Sequence, residues 1–66
     1  MTDRERIGMR IAEIRKEHGL SQAKLAELTG IAPGNIARIE LGKYSTGIDI
    51  LSKIAGALKK RIDFVD

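Results

Sequence analysis

The stretch QAKLAELTGIAPGNIARI, residues 22–39, combines two short helical segments with a glycine between them. Ser21, just before the stretch, is a favourable helix N-cap, and Gly30 is able to adopt the positive φ that a tight turn requires. Ala26 is small enough to let the two helices cross closely. Four apolar side chains are spaced to fill the volume between these helices and the rest of the core: Leu25, Ile31, Ile36 and Ile39. We therefore predict two packed helices joined by a turn.

Helical periodicity continues on both sides of this stretch. Apolar residues repeat at helical spacing over residues 4–18 and again over residues 48–59. The helix that follows Gly30 is predicted over residues 33–41. Pro33 suits its first position, and Gly42 marks its end. Residues 22–41 therefore form a helix-turn-helix motif within a set of four predicted helices.

The C-terminal tail, residues 60–66, breaks the helical period. Apolar Ile62 and Phe64 alternate with charged residues, which favours a short strand, and a fifth helix is the alternative. The predicted fold is all-α, a four- to five-helix bundle in a single domain over residues 1–66, with the short C-terminal strand as an optional addition.

Composition limits the classes of function. The chain has 66 residues, no cysteine, one histidine and a net charge of +3. No metal-ligand cluster and no nucleophile paired with a base is recognisable, so an enzyme is disfavoured and no cofactor or metal is expected. No membrane-spanning run and no signal peptide is recognisable, and we expect a cytoplasmic protein. The mild positive charge by itself is only weak evidence for a polyanionic partner.

The sequence GLSQAKLAELTGIAPGNIARIELGK, residues 19–43, resembles the helix-turn-helix family of phage Cro and repressor proteins and their small bacterial relatives, the Xre type. The resemblance covers residues 7–58. It implies a lambda-repressor-like fold that binds operator DNA as a dimer, with the third helix in the major groove. Two positions depart from the family pattern: Thr29 replaces an aliphatic residue, and Ala32 replaces the usual Ser or Thr at the N-cap of the third helix.

The outward side of the third helix supplies the candidates for contact with DNA bases. At 100° per residue, this side lies opposite the apolar positions of the helix. Arg38 is suited to a bidentate contact with guanine, with a phosphate contact or a solvated charge as alternatives. Asn35 is suited to adenine, or to capping the backbone at Ala32. The full set of predicted base-contact residues is Arg38, Asn35, Gly34, Ala37 and Pro33.

Phosphate contacts are predicted at two places. Ser21 and Gln22 lie at the N-terminus of the second helix, whose free N–H groups suit an anion, and the resemblance assigns the glutamine to a backbone phosphate. Simple N-capping is the alternative for Ser21. After the third helix, the resemblance assigns Lys43, Tyr44 and Ser45 to the next phosphates, with a solvated turn as the alternative.

The resemblance also implies a structural ion pair. In the family, an arginine late in the first helix pairs with the glutamate that precedes the glycine ending the third helix. These positions are Arg15 and Glu40. We expect a partly buried pair that fixes the third helix and does not contact DNA.

The apolar tail predicts self-association. Ile62, Phe64 and Val65 are too apolar to remain uncovered on a chain of this size. An extended tail that pairs with its symmetry mate would form a two-fold dimer and place two third helices about 34 Å apart, one turn of DNA. The predicted function is a sequence-specific double-stranded DNA-binding regulator, a repressor, acting on a two-fold-symmetric operator. The alternative is an antitoxin-like or other protein-interaction subunit, whose main partner is a protein such as a toxin and whose DNA binding serves autoregulation.

Overall fold

The computed structural model describes residues 1–65, and this range contains four α-helices. Their bounds are α1 (Asp3–Glu17), α2 (Gln22–Thr29), α3 (Pro33–Glu40) and α4 (Ile48–Ala57). The all-α prediction is therefore confirmed, and each predicted helix is present. The fourth ends two residues before the predicted end at residue 59, because the backbone leaves the helical region there.

The core is built from apolar side chains of all four helices. α3 packs against both α1 and α2, and α2 also packs against α4. The second and third helices alone are too short to persist in water, so this packing maintains them. The buried apolar residues are Ile11, Ile14, Leu25, Ala26, Ile36, Ile39, Ile54 and Leu58.

Two reciprocal hydrogen bonds between Thr2 and Glu5 cap the N-terminus of α1. The Glu5 backbone N–H donates to the Thr2 hydroxyl over 3.2 Å, and the Thr2 backbone N–H donates to the Glu5 carboxylate over 2.9 Å. The Thr2 hydroxyl also donates to the Glu5 carboxylate over 3.0 Å. The bonds that this carboxylate accepts from the Thr2 backbone and then from the Thr2 side chain lower the pKa of Glu5 from its ordinary value. This arrangement is a capping box, and the Thr-x-x-Glu spacing of residues 2–5 is its sequence signature.

Glycines with positive φ end the first three helices. Gly30, with φ of 72°, caps α2 and forms the turn of the helix-turn-helix motif, as predicted. Gly19 and Gly42 follow α1 and α3 with φ of 69° and 73°. An L side chain would be disfavoured in these left-handed conformations. At the end of α4 the corresponding residue is Lys59, with φ of 61°.

The described tail, residues 60–65, is neither helix nor strand in this single chain. The fifth-helix alternative is therefore wrong for these residues, since no helical hydrogen bonds form there. Pairing of a strand with a symmetry mate requires a second copy and stays a prediction. Asp66, which the predicted tail included, lies outside the described residues.

Within residues 1–65, no helix is both long enough and apolar enough to cross a bilayer. The longest, α1, has 15 residues, whereas a span needs about 20. The same part of the chain contains no group of three or more His, Asp or Glu side chains placed to hold a metal ion.

Candidate nucleic-acid interface

α3 separates an apolar side from an outward side. Ile36 and Ile39 are buried with 1% and 3% of their surface exposed, which anchors the helix on the core. The outward side presents small or polar residues. Pro33, Gly34 and Arg38 are exposed, and Asn35 and Ala37 are half-buried.

The first turn of α3 is flat and open. Ala32 provides no side-chain cap, and Pro33 occupies the first helical position. A Cβ built on Gly34 would meet no heavy atom within 4 Å. A ligand could therefore approach the backbone of this turn closely.

Arg38 and Asn35 lie next to each other on the outward side. Arg38 donates a long hydrogen bond of 3.4 Å from Nη1 to the Asn35 side-chain oxygen. Asn35 therefore faces Arg38, and its side chain does not cap the backbone at Ala32. Within residues 1–65, Arg38 forms no ion pair with a carboxylate. Its guanidinium is available to an anionic or hydrogen-bonding ligand.

A buried ion pair connects α1 to the end of α3. The Arg15 Nε donates to a Glu40 oxygen over 2.7 Å, and its Nη2 donates to the other oxygen over 3.1 Å. Both residues are only 8% exposed. The hydrogen bond to Glu40 raises the pKa of Arg15, and burial opposes that shift. This bidentate geometry fixes the orientation of the carboxylate and hence of the last turn of α3.

Two further hydrogen bonds extend this pair into a network. Arg15 Nη1 donates to the backbone carbonyl of Leu20 over 2.7 Å, and Gln22 Nε2 donates to Glu40 over 2.9 Å. The Gln22 side chain, which the sequence analysis assigned to a phosphate, therefore has a partner inside the protein. A primary amide carries two N–H groups, so the phosphate contact remains open and is still a prediction.

The other predicted phosphate ligands lie near the ends of helices. The Ser21 hydroxyl accepts a hydrogen bond of 2.9 Å from the Lys24 backbone N–H, so it is the N-cap of α2. Lys43, Tyr44 and Ser45 are exposed in the turn after α3, and Lys43 forms no ion pair within residues 1–65. The structure does not bring the tail to this surface. Ile62, Phe64 and Val65 follow α4 and are 41%, 100% and 90% exposed.

The sequence did not reveal that two glycines, Gly8 and Gly42, permit close packing between α1 and α3, although Gly42 was predicted to end α3. A Cβ on Gly8 of α1 would overlap the backbone oxygen of Ile39 and lie 2.7 Å from that of Glu40. A Cβ on Gly42 would lie 2.7 Å from the Cα of Glu5. A glycine inside a helical pattern is itself a signal of close packing, and Gly8 could have been found in this way.

The helices α2 and α3 are short and are joined at Gly30. One side of α3 packs on the core and the other side is open to solvent. These features define a helix-turn-helix domain. A model of the family described as helix-turn-helix matches residues 11–65. The chain therefore belongs to the helix-turn-helix family.

Similarity to individual proteins agrees with this membership. The chain is 40% identical over 52 residues to the immunity repressor protein of Bacillus phage phi105, covering 79% of this chain and 36% of that protein. It is 45% identical over 47 residues to the HTH-type transcriptional regulator PuuR of Escherichia coli, covering 71% of this chain and 25% of that protein. The chain thus spans only about a quarter to a third of the length of these relatives.

A solved structure has the same fold along nearly its whole length. The restriction-modification controller protein C.AhdI from Aeromonas hydrophila superimposes with a TM-score of 0.87 at 32% identity. The match covers 89% of this chain and 89% of that one.

Proposed function

We propose that this protein binds double-stranded DNA in a sequence-specific manner and regulates transcription as a repressor, with α3 in the major groove. The observation that carries the proposal is the outward side of α3. It combines an open first turn with Arg38, which forms no ion pair within residues 1–65. The Arg15–Glu40 pair holds the opposite side of the helix in place. The names of two relatives, an immunity repressor and a transcriptional regulator, support the same conclusion.

Base recognition in this proposal is sparse. Arg38 is the main reading residue because a guanidinium matches the two acceptors of guanine, and Asn35 beside it matches adenine. Ala37 offers a methyl group to thymine. Pro33 and Gly34 add no polar side chain, so they contribute close approach of the backbone to the base edges.

Phosphate contacts orient the domain on the duplex. Ser21 and Gln22 offer the N-terminus of α2, and Lys43, Tyr44 and Ser45 offer the turn after α3. Such contacts make affinity depend on salt, with a slope in log–log form of about 0.9 per phosphate neutralised.

A homodimer formed through the apolar tail would match a two-fold-symmetric operator, with half-sites one helical turn apart. Repression then follows from occupying promoter DNA, in the cytoplasm where that DNA lies. The alternative, a subunit whose main partner is a toxin, gains no support from the names of these relatives.

Selection of binding sites from random duplex DNA at two salt concentrations tests the proposal. We expect an enriched, two-fold-symmetric site and an affinity that falls steeply as salt rises. Binding that depends on salt but enriches no sequence would contradict sequence-specific regulation. No binding at either concentration would contradict the DNA partner altogether.

A further inference from the structure

An open groove between α2 and α4 has an uncovered apolar floor. It has a volume of about 640 Å³ and lies beside the end of α1. Leu28 on its floor is 52% exposed, and Leu20 and Ala57 are partly buried there. The space beside Gly56 is open, because a Cβ built on it meets nothing within 4 Å. We call this feature the α2–α4 groove.

The rim of the α2–α4 groove is basic. His18, Lys53 and Lys59 line it. In the described part of the chain none of the three forms an ion pair. Glu17 and Glu27, which adjoin His18 and Leu28 in the sequence, are paired with Arg10 and Lys24. The groove therefore combines apolar contact area with two lysines that form no ion pair within residues 1–65.

Lys59 occupies a backbone position that glycine would fill more easily. The two hydrogen bonds that close α4 run from Lys59 N–H to Gly56 over 3.1 Å and from Lys60 N–H to Ala55 over 2.8 Å. α1 and α3 close with the same pattern, and there the left-handed residue is Gly19 or Gly42. A side chain at a φ of 61° is disfavoured, so the fold alone does not explain a lysine at this position.

The tail has the complementary chemistry. Asp63 is acidic, and the next two residues, Phe64 and Val65, are apolar and 100% and 90% exposed. The sequence adds another acid at position 66, outside the described residues. Lys60 and Arg61, earlier in the tail, are basic and line the cavity between α1 and α4, so the match concerns residues 63–65 alone. These three residues are acidic and apolar, and they match a groove with lysines on its rim and an apolar floor.

The tail of the same chain runs on the other side of α4. Residues 60–63 line a separate cavity between α1 and α4, with Leu51, Ile54 and Leu58 of α4. Lys53 and Gly56 line the α2–α4 groove. At 100° per residue, they lie on the face of α4 roughly opposite to the residues that line the other cavity. Phe64 could therefore reach its own groove only if the tail turned across α4.

We propose that the tail of one copy docks in the α2–α4 groove of a second copy, with Phe64 on Leu28 and Asp63 facing Lys53 and Lys59. The exchange is reciprocal in a two-fold dimer. Residues 60–65 span about 20 Å when extended, which is comparable to the 21–23 Å width of the domain, so the tail is long enough. This inference rests on the homodimer of the proposed function and names its contact surfaces.

Sedimentation equilibrium of the full chain and of single variants tests the proposal. Phe64→Ala raises the dimer dissociation constant by about tenfold or more, as expected for a lost aromatic anchor. Leu28→Gln weakens the dimer in the same direction. Met9→Gln is the matched control, since Met9 is also 52% exposed but lies on α1, away from the groove. It leaves the dimer unchanged.

Lys59→Gly separates a role in binding from a role in folding. Glycine suits the left-handed backbone, so the thermal midpoint of unfolding of a dilute, monomeric sample stays the same or rises. The dimer dissociation constant nevertheless increases, because a rim charge is lost. A lysine that served only the fold would give the opposite pattern, with a lower midpoint and an unchanged dimer.

A charge exchange gives the decisive result. Lys53→Glu with Lys59→Glu weakens the dimer, and Asp63→Lys alone weakens it as well. The three substitutions together restore it to within about threefold of the natural chain, because opposite charges face each other again. Failure of the combination to restore the dimer would overturn the proposal.

Two further outcomes would also overturn it. If Phe64→Ala abolishes the dimer while every groove variant leaves it intact, the tails pair with each other. If the natural chain stays monomeric at millimolar concentration, no such docking occurs. Binding to a duplex with a single half-site is measured in parallel, so failure of the docking proposal remains distinguishable from failure of DNA recognition.

Discussion

Glu40 is the residue on which the position of α3 depends most directly. Its carboxylate is buried and accepts hydrogen bonds from Arg15 on α1 and from Gln22 on α2. A buried charge is tolerated only when it is paired, so the network is satisfied only in one arrangement of the three helices.

Removing one partner of this pair is expected to destabilise the fold strongly. Arg15→Met leaves an unpaired buried carboxylate and lowers the free energy of unfolding by about 3–5 kcal/mol. Adding Glu40→Met to this variant recovers part of the loss, because no buried charge remains. Urea unfolding of the four proteins of a double-mutant cycle measures the coupling.

An exposed ion pair on α1 provides the control for this cycle. Arg10 lies 3.5 Å from Glu13, and both side chains are more than half exposed. The same cycle with Arg10→Met and Glu13→Met gives a coupling below about 1 kcal/mol. A coupling near zero for the buried pair would contradict its structural role.

The roles proposed for Arg38 and Lys43 predict different changes in DNA binding. Arg38→Ala costs about 1–3 kcal/mol on the preferred site and flattens base preference at one position per half-site. Lys43→Ala weakens binding to all sequences alike and lowers the salt slope by about 0.9. Titration of preferred and altered duplexes at several salt concentrations measures both effects. An equal loss on every sequence for Arg38→Ala would show that Arg38 binds phosphate.

At the scale of the helices, the crossing of α1 and α3 depends on the absence of a side chain at Gly8. The backbone of α3 passes so close that a Cβ on this residue would overlap Ile39 and Glu40 carbonyl groups. This approach brings the Arg15 side chain within reach of Glu40. The distance between two helices therefore determines whether the ion pair forms.

Gly8→Ala is expected to destabilise the protein although alanine is the better helix former. The added methyl group meets backbone atoms that cannot move aside, so the free energy of unfolding falls by about 1–3 kcal/mol. Gly56→Ala in α4 is the matched control, because space around its Cβ is open. Both variants are measured in dilute, monomeric samples, so that the α2–α4 groove, which Gly56 lines, does not contribute. That substitution stabilises the helix by about 0.5–1 kcal/mol. Thermal unfolding of both variants would contradict this account if their midpoints shifted in the same direction.

At the scale of the whole molecule, the tail is expected to form the dimer and thereby to raise the affinity for a complete operator. Exposed apolar residues at positions 62, 64 and 65 remain uncovered in one chain. A second copy would cover them and present two α3 helices to one face of the duplex.

Deletion of residues 62–66 is expected to yield a folded monomer that binds a complete operator weakly. Affinity for a duplex with one half-site is unchanged, because α3 and the predicted phosphate ligands lie outside the deletion. Circular dichroism checks the fold, sedimentation checks the mass, and titration with half and complete sites checks affinity. A truncated chain that stays dimeric would contradict the role of the tail.

Most local features of the fold were predictable from the sequence. Ser21, Gly30 and Gly42 mark helix ends because their preferences act over a few residues. The spacing of Ile36 and Ile39 identified the buried side of α3, and thereby its outward side. The end of α4 was placed too late, since Lys59 adopts a conformation that lysine rarely prefers.

The sequence by itself determined the helices, their buried sides and the turn between α2 and α3, because those depend on neighbours within one or two helical turns. Only the tertiary structure decided that α1 crosses α3 at Gly8 and that Gln22 binds Glu40. The Arg15–Glu40 pair, whose residues are 25 positions apart, was expected from family resemblance and not from spacing. Contacts at such separations depend on helix crossing angles and distances, which arise from the packing of the whole core.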